Sequence, residues 1–489
     1  MRVDRFLASQ DEPSSTYLWP RWLFLRGLGL IFLSAFYSLA FQIHGLIGAI
    51  GILPAREYLH TVRGALGPLR AIWYAPTLLW LGAGDVALWV VVVGGVVCSL
   101  LLTANVWPRL TTTLCTFFFL SCVAALQDFS SYQSDGMLLE AGFIACWLAP
   151  GGVRPRLGAL DAPSRFSLFM LRWEWFRIYL ESGIVKLASG DQHWRNLTAM
   201  DDYYQNGPLP TWLGWYVQQL PHWYHAGTVI LTFFVELLLV WSVWLARPVR
   251  VACFLIVTAL QIGIITTANY AFLNYLVLLL GVLLLDDQTL ARIGLRTRNA
   301  VNVRQPSRWR RYAEAATLGF ALYVTVLAFV PDVPVLGAPA RLLAPFRVAN
   351  AYGLFAVMTE ARYEIEFQGS RDGTTWITYP FRYKPQDVRE RPGIYAPYQP
   401  RFDWNLWFAS LGPWQQSPWV VNAQLRLTEG SPSVLRLFRS DPFHGQPPTL
   451  VRTVLWQYWF ADLATKRATG VWWRRQLLGP YTGTVALPR

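Results

Sequence analysis

At 489 residues the chain has room for about three domains of ordinary size. Its composition, 54% hydrophobic and only 15% charged, is too apolar for a soluble or disordered protein of that length and points to an integral membrane protein. Forty-two cations against 29 acids give a formal charge of +13, which must be placed relative to the bilayer before it is read as affinity for nucleic acid.

A helix that crosses a bilayer needs about 20 mostly apolar residues. In chain order such segments lie at 22–43, 86–106, 110–126, 166–188, 226–246 and 251–267. Shorter runs at 137–149, 272–285 and 315–330 fit as additional spans, and 72–81 reads as an interfacial or re-entrant piece. The fold class expected is a polytopic α-helical membrane protein of about nine spans, with the bundle over 22–331. Residues 1–21 carry acids and serines and lack a small-residue cleavage signature, so they read as a cytoplasmic segment before a retained first helix. With nine spans and the N-terminus inside, sixteen arginines, among them Arg2, Arg5, Arg109, Arg298 and Arg304, fall in inside segments and only four outside. That asymmetry supports the alternation and its direction. The basic loop 286–311 has seven arginines but a single aromatic, Trp309, and suits an anchor against anionic lipid better than a nucleic-acid site.

From residue 345 to 489 the texture changes. Residues 363–367 alternate apolar and polar, Arg371-Asp372-Gly373 supplies a turn, and 375–381 reads as the second arm of a hairpin. Val454, Trp456, Tyr458 and Phe460 at period two suggest a further strand, with helices at 403–411 and 420–427. The expectation is a soluble β-rich domain outside the membrane, in a periplasm or an endoplasmic-reticulum lumen.

Within the segment 166–188 lie Arg172, Glu174, Arg177, Glu181 and Lys186, a charge load that a lipid-facing helix does not carry. At 100° per residue Glu174, Arg177 and Glu181 share one sector and read as an internal ion-pair stripe, for which Glu140 and Glu236 are the natural partners. Arg172, Trp175, Tyr179, Ser182 and Lys186 occupy a second sector. Only three cations are lysines, Lys186, Lys384 and Lys466; the excess of arginine fits GC-rich coding and hence a bacterial source. Lys186 reads either as a residue that snorkels or pairs structurally, or as a functional amine, since lysine differs from arginine in acting as a base once buried. Glu181 and His225 are its candidate helpers. The outer loop 189–223 is dense in aromatics; His222 and His225, three apart, with Asp201 and Asp202 form a weak metal pattern, and an interfacial aromatic belt is the reading adopted, with no metal assigned. The five cysteines all lie in apolar runs, which excludes an extramembrane disulfide framework or CxxC pair. No phosphate loop, catalytic triad or HExxH motif is convincing, and the sequence leaves any cofactor unknown.

The run FRIYLESGIVKLASGDQHWRNLTAMDDYYQNGPLP, followed by LPHWYH, FFVELLLV and NYAFLNYLVLLLGVLLLDD, resembles the lipase maturation factor family. A second block continues the likeness: VANAYGLFAVMTEARYEIEFQGS, YKPQDVRERPGIYAPYQPRFDWNLWFASLG and DPFHGQPP. In the outer loop the pattern falls on Gly190, Asp191, Trp194, Arg195, Thr198, Met200, Pro208 and Pro210. The resemblance implies a polytopic membrane protein with a cytoplasmic N-terminus and a lumenal C-terminal domain, needed for secreted lipases to fold and assemble. Animal members have cysteines outside the membrane, whereas this chain has none. The GIVKL segment also looks distantly like the segment of vitamin K dependent carboxylases in which a lysine is the base, and Lys186 falls at the matching place. The leading expectation is a membrane-embedded maturation factor whose outer domain and outer loop bind a secreted client, with a lipase the candidate. Trp404, Trp407, Trp414 and Trp419 would offer the contact surface or fill the core. The alternative is an intramembrane enzyme acting on lipid or polypeptide with Lys186 as base. The setting is a bacterial inner membrane or an endoplasmic-reticulum membrane, with lipid as a partner and nucleic acid excluded.

Overall fold

A computed structural model describes residues 16–130, 132–297, 306–327, 329 and 334–486. Most of the N-terminal segment, with Arg2 and Arg5, and the part of the basic loop with Arg298 and Arg304 lie outside the described residues. Each apolar segment of the sequence forms a helix: α1 (Leu18–Ile47), α3 (Asp85–Thr103), α4 (Pro108–Val123), α5 (Gln133–Leu148), α6 (Arg165–Ala188), α7 (His222–Phe233), α8 (Arg247–Thr267), α9 (Leu273–Gly281) and α10 (Arg308–Leu327). An additional amphipathic helix, α2 (Ala55–Leu66), turns Leu59 and Val62 inward and Arg56, Glu57 and Arg63 outward. It is too short and polar to register as a span. Among the described residues four helices are long and apolar enough to cross a membrane: Leu18–Ile47, Asp85–Thr103, His222–Trp244 and Arg247–Thr267. Pro108–Val123 and Leu273–Leu284 are shorter apolar helices.

The first helix is apolar on nearly every face and packs along α3 at the centre of the bundle. Gly95 permits this approach, because a Cβ there would stand 2.3 Å from the Phe36 ring. Proline opens α4 and α8, where a missing N–H costs nothing. Ser164 caps α6, accepting a hydrogen bond from the Ser167 N–H at 3.3 Å.

Outside the bundle, five antiparallel strands form one sheet in the order β2–β1–β3–β4, with β5 on the remaining edge length of β3. They are β1 (Arg362–Ser370), β2 (Ile377–Thr378), β3 (Leu450–Phe460), β4 (Trp473–Pro480) and β5 (Val485–Ala486). The expected hairpin is present but its second arm is only β2, since the chain leaves the sheet after Tyr379, whose N–H donates to Phe367 O at 3.0 Å; the main partner of β1 is β3, in register from Arg362 opposite Tyr458 to Ser370 opposite Leu450. In β4, Leu477 and Gly479 face successive residues of β3, which leaves Leu478 as a bulge. Gly479 at φ +136° supplies the backbone this needs. Two helices, α12 (Arg401–Ser410) and α13 (Trp419–Thr428), cover one sheet face, so the domain is mixed rather than β-rich. The helix α11 (Pro334–Leu343) precedes it. The domain's core is aromatic: Phe438 meets Phe367 and Phe402 edge to face, stacks on Phe381 and tilts against Tyr379, while Phe402 also meets Trp419 edge to face.

The outer domain is welded to the bundle. Arg401 makes a bidentate pair with Asp135 at 2.7 and 2.8 Å, both side chains fully buried. Arg362 donates to the carbonyls of Gln205 at 2.9 Å and Pro208 at 3.1 Å in the outer loop. Trp407 Nε1 donates to Asn206 O at 2.9 Å, and Asn206 Nδ2 donates to Thr359 O at 2.7 Å.

Candidate functional site

The charged helix α6 organises two buried clusters. In the first, Arg177 pairs with Glu140 of α5 and lies 3.7 Å from Glu181, one turn on; Glu174 is fully buried beside them. The stripe is closed from outside by the segment that links bundle to outer domain. Arg177 donates to Asn350 O at 2.5 Å, Tyr352 N donates to Glu181 at 2.5 Å, and Tyr352 OH and Asn350 Nδ2 donate to Glu140 at 2.9 and 3.0 Å. With Arg177, Tyr352 and Asn350 all donating to it, the buried Glu140 carboxylate has its hydrogen-bonding capacity met.

In the second cluster Lys186 Nζ donates to both oxygens of Glu236 at 2.9 Å. The sequence pattern assigns Glu236 to the stripe; the structure gives it to Lys186. The reason is local: residues Phe234–Leu238 form a π turn that carries α7 onward to Trp244 and projects Glu236 toward the outer end of α6. Gly183 lets the two helices close, since a Cβ there would meet Leu237 at 2.7 Å and Glu236 at 3.0 Å. Lys186 does not snorkel: its side chain is 3% exposed, with the Trp194 ring 5.2 Å from Nζ.

This pair sits on the wall of a cavity of about 490 Å³ between α6, α7, α8 and α9. Further polar wall residues are Tyr179, Gln261 and Asn274, in which Asn274 Nδ2 donates to Gln261 Oε1 at 2.6 Å and Gln261 Nε2 donates to Tyr179 OH at 2.7 Å. Gln261 is absent from the residues singled out by sequence, although a lone amide in an apolar run at membrane depth is a usable signal. A second cavity, of about 310 Å³, lies under the outer domain between the outer loop, the linker and α12. Tyr203, Leu273, Leu354 and Phe355 line both cavities and form the partition. Phe355 holds a left-handed backbone, φ +57°, which is costly for an aromatic residue and is fixed here by Trp194 Nε1 donating to its carbonyl at 3.0 Å.

Of the other expected site residues, Glu181 faces Arg177 and the linker, and His225 is buried between the rings of Tyr204 and Tyr224; the partner at Lys186 is Glu236. His222 bonds Asp201 at 3.0 Å on the exposed rim, so the two histidines do not converge, and among the described residues no group of three metal-ligating side chains is assembled. Burial, reinforced by Asp201, raises the Asp202 carboxyl above its ordinary range. Arg172 donates to Leu283 O at 3.0 Å and stacks on Tyr17. In the outer loop Asp191 caps the turn at His193 N and accepts from Met358 N at 2.6 Å, with Gly190 at φ +78° before it; Trp194 and Met200 pack inward, Thr198 Oγ1 lies 3.3 Å from His193, Arg195 is exposed, Pro208 gives its carbonyl to Arg362, and Pro210 bridges to Ala268. Trp404, Trp407 and Trp419 are not surface groups: they are 5%, 8% and 3% exposed, because α12 and α13 turn them into the domain core and its seam with the bundle. Trp414, at 37%, remains exposed. The cysteines are all free.

A helical membrane bundle with a largely apolar cavity that carries a few polar groups, and a second domain clamped to it by buried polar contacts, defines a class of polytopic membrane protein. The chain matches the Lipase maturation factor transmembrane domain over residues 19–292 and the Lipase maturation factor C-terminal domain over 348–483. It is 31% identical to human lipase maturation factor 2, over 96% of this chain and 83% of that protein. Chicken lipase maturation factor 2 gives 31% over 96% and 81%, and bovine lipase maturation factor 1 gives 29% over 96% and 89%. The chain belongs to the lipase maturation factor family. No solved structure matches it.

Proposed function

We propose that the protein is a membrane-embedded maturation factor for secreted lipases, which receives its client on the outer domain and outer loop. The observation that carries this reading is that the family likeness runs through both the bundle and the outer domain, and the two are joined by the buried Arg401–Asp135 ion pair and by buried hydrogen bonds into one platform. With Trp404, Trp407 and Trp419 buried, the surface offered to a client is Phe408, Leu411 and Trp414, which follow one another at the end of α12. The proposed topology keeps nine spans, the N-terminus in the cytoplasm and the outer domain outside. The proposed compartment is the endoplasmic-reticulum membrane in a eukaryotic owner; arginine usage is the one feature that favours a bacterial inner membrane.

The test is complementation. Cells lacking their own maturation factor and secreting a reporter lipase should recover specific lipase activity with this chain, and lose most of it when Phe408, Leu411 and Trp414 are changed together to serine while the protein stays folded. Undiminished activity with the triple variant would overturn the client surface, and absence of rescue by the native chain would overturn the lipase reading.

A second reading, an intramembrane enzyme with Lys186 as base, is favoured by the cavity at that residue. It requires Lys186 to lose a proton before each turnover, since the ammonium that donates to both Glu236 oxygens has no lone pair to offer. Lys186→Arg, which keeps charge, should then abolish activity; full complementation would end that reading.

A further inference from the structure

The cavity beside Lys186 has three properties that together specify a ligand. First, it opens sideways. The inner end of α7 packs on α8, but Leu231 and Ile256, which line the cavity, are 41% and 40% exposed on the flank of the bundle, so its mouth faces acyl chains. Second, its charge is closed: Lys186 already holds Glu236 with both oxygens, and an incoming carboxylate or phosphate would have to displace that carboxylate. Third, the amide relay along the back wall has two loose ends. Asn274 uses its NH₂ on Gln261 and Gln261 uses its NH₂ on Tyr179, which leaves the Asn274 carbonyl oxygen as an acceptor and the Tyr179 hydroxyl hydrogen as a donor, on side chains 6% and 4% exposed. Polar groups this deep are expensive without a partner.

We propose that this cavity binds an uncharged acylglycerol, with one acyl chain entering between α7 and α8. Its free hydroxyl donates to Asn274 and its ester carbonyl accepts from Tyr179. A volume of about 490 Å³ is in the range of small-molecule sites and holds one chain with its glycerol end. The site stands apart from the lipase reading and would survive its failure.

The experiment uses the full chain in nanodiscs with three photoactivatable probes, each carrying a diazirine at the chain end: a monoacylglycerol, oleate and lysophosphatidylcholine. The monoacylglycerol should label peptides of α8, unlabelled monoolein should compete, and the anionic oleate and zwitterionic lysophosphatidylcholine probes should label several-fold less. Gly263 lies at the mouth, where an added Cβ would have no neighbour within 4 Å, so Gly263→Trp fills the entrance without displacing packing. It should cut monoacylglycerol labelling at least fivefold with an unchanged melting temperature; if it fails to fold, Ala259→Phe at the same mouth serves. Tyr179→Phe should remove most of the preference for the monoacylglycerol. Equal labelling by all probes, labelling that persists in the filled variant, or a preference unchanged by Tyr179→Phe would overturn the assignment.

Discussion

Each of the three lysines occupies a distinct site in a chain that otherwise uses arginine. Lys466 lies over the Trp472 ring at 4.0 Å, with Trp215 at 5.2 Å. Lys384, in the outer domain, is buried against Glu364, which Arg362 also contacts; burial pushes its ammonium below the usual lysine range and Glu364 pulls it back. Lys186 bonds Glu236. Removing one member of such a buried pair strands the other charge. Lys186→Met should therefore cost about 3–5 kcal/mol of stability, and Lys186→Met with Glu236→Gln should recover most of it. Thermal unfolding of the native protein and both variants in detergent checks this; equal loss in the single and double variants would mean that packing, not charge, holds the site. Asp403 gives a pH-dependent counterpart. Burial raises its carboxyl to about 6 from 3.8, against the opposing effect of the Tyr383 and Lys384 N–H groups. Its contribution to stability is thus full below 3.8 and lost as pH rises through about 6, a difference of about 3 kcal/mol. Asp403→Asn keeps an acceptor for both N–H groups and removes the titration. The native protein should lose stability relative to this variant between pH 4 and pH 7, as read by melting temperature; a constant difference would show that Asp403 does not titrate there.

At the scale of elements, the helices could be read from the sequence because continuous apolar runs admit one structure at membrane depth. The ion-pair stripe on α6 could be read too, since helical spacing alone puts Glu174, Arg177 and Glu181 together. Its partner from α5 was legible, but its closure by Asn350 and Tyr352 was not: that segment is irregular, more than 160 residues away in sequence, and carries no period. The same limit hid the pairing of β1 with β3, whereas the local turn at Asp372 was plain, with Thr374 and Thr375 N–H groups donating to its carboxylate at 2.8 and 2.7 Å. β4 went unseen because it is exposed along most of its length and bulged, which erases the alternation that marks a strand. The linker's role yields a prediction. Tyr352→Phe removes a donor to Glu140 at 2.9 Å and should cost about 1–3 kcal/mol, with faster proteolytic cleavage between residues 344 and 361. Unchanged cleavage would place the anchoring of the linker in its backbone bonds to Glu181 and Asp191 instead.

For the whole molecule the question is whether bundle and outer domain are one cooperative body. The seam between them is not a wet contact of two finished surfaces: Arg401 and Asp135 are fully buried, Tyr132 OH donates to Asn405 at 2.9 Å, and Asn269 accepts from the N–H groups of Tyr395 and Ala396 at 2.7 and 3.0 Å. Each half therefore satisfies polar groups that the other would strand, and Leu354 and Phe355 of the linker form part of the wall between the two cavities. The native protein should consequently unfold in one transition, with tryptophan fluorescence and helical dichroism changing together. Arg401→Met leaves Asp135 uncompensated, an expected loss of about 3–5 kcal/mol concentrated at the seam. The two signals should then separate, the outer domain releasing first, and Arg401→Met combined with Asp135→Leu should bring them partly back together. If they stay superimposed in the single variant, cohesion comes from the apolar contacts around Trp404 and Trp407 and the ion pair only sets the register of the two halves.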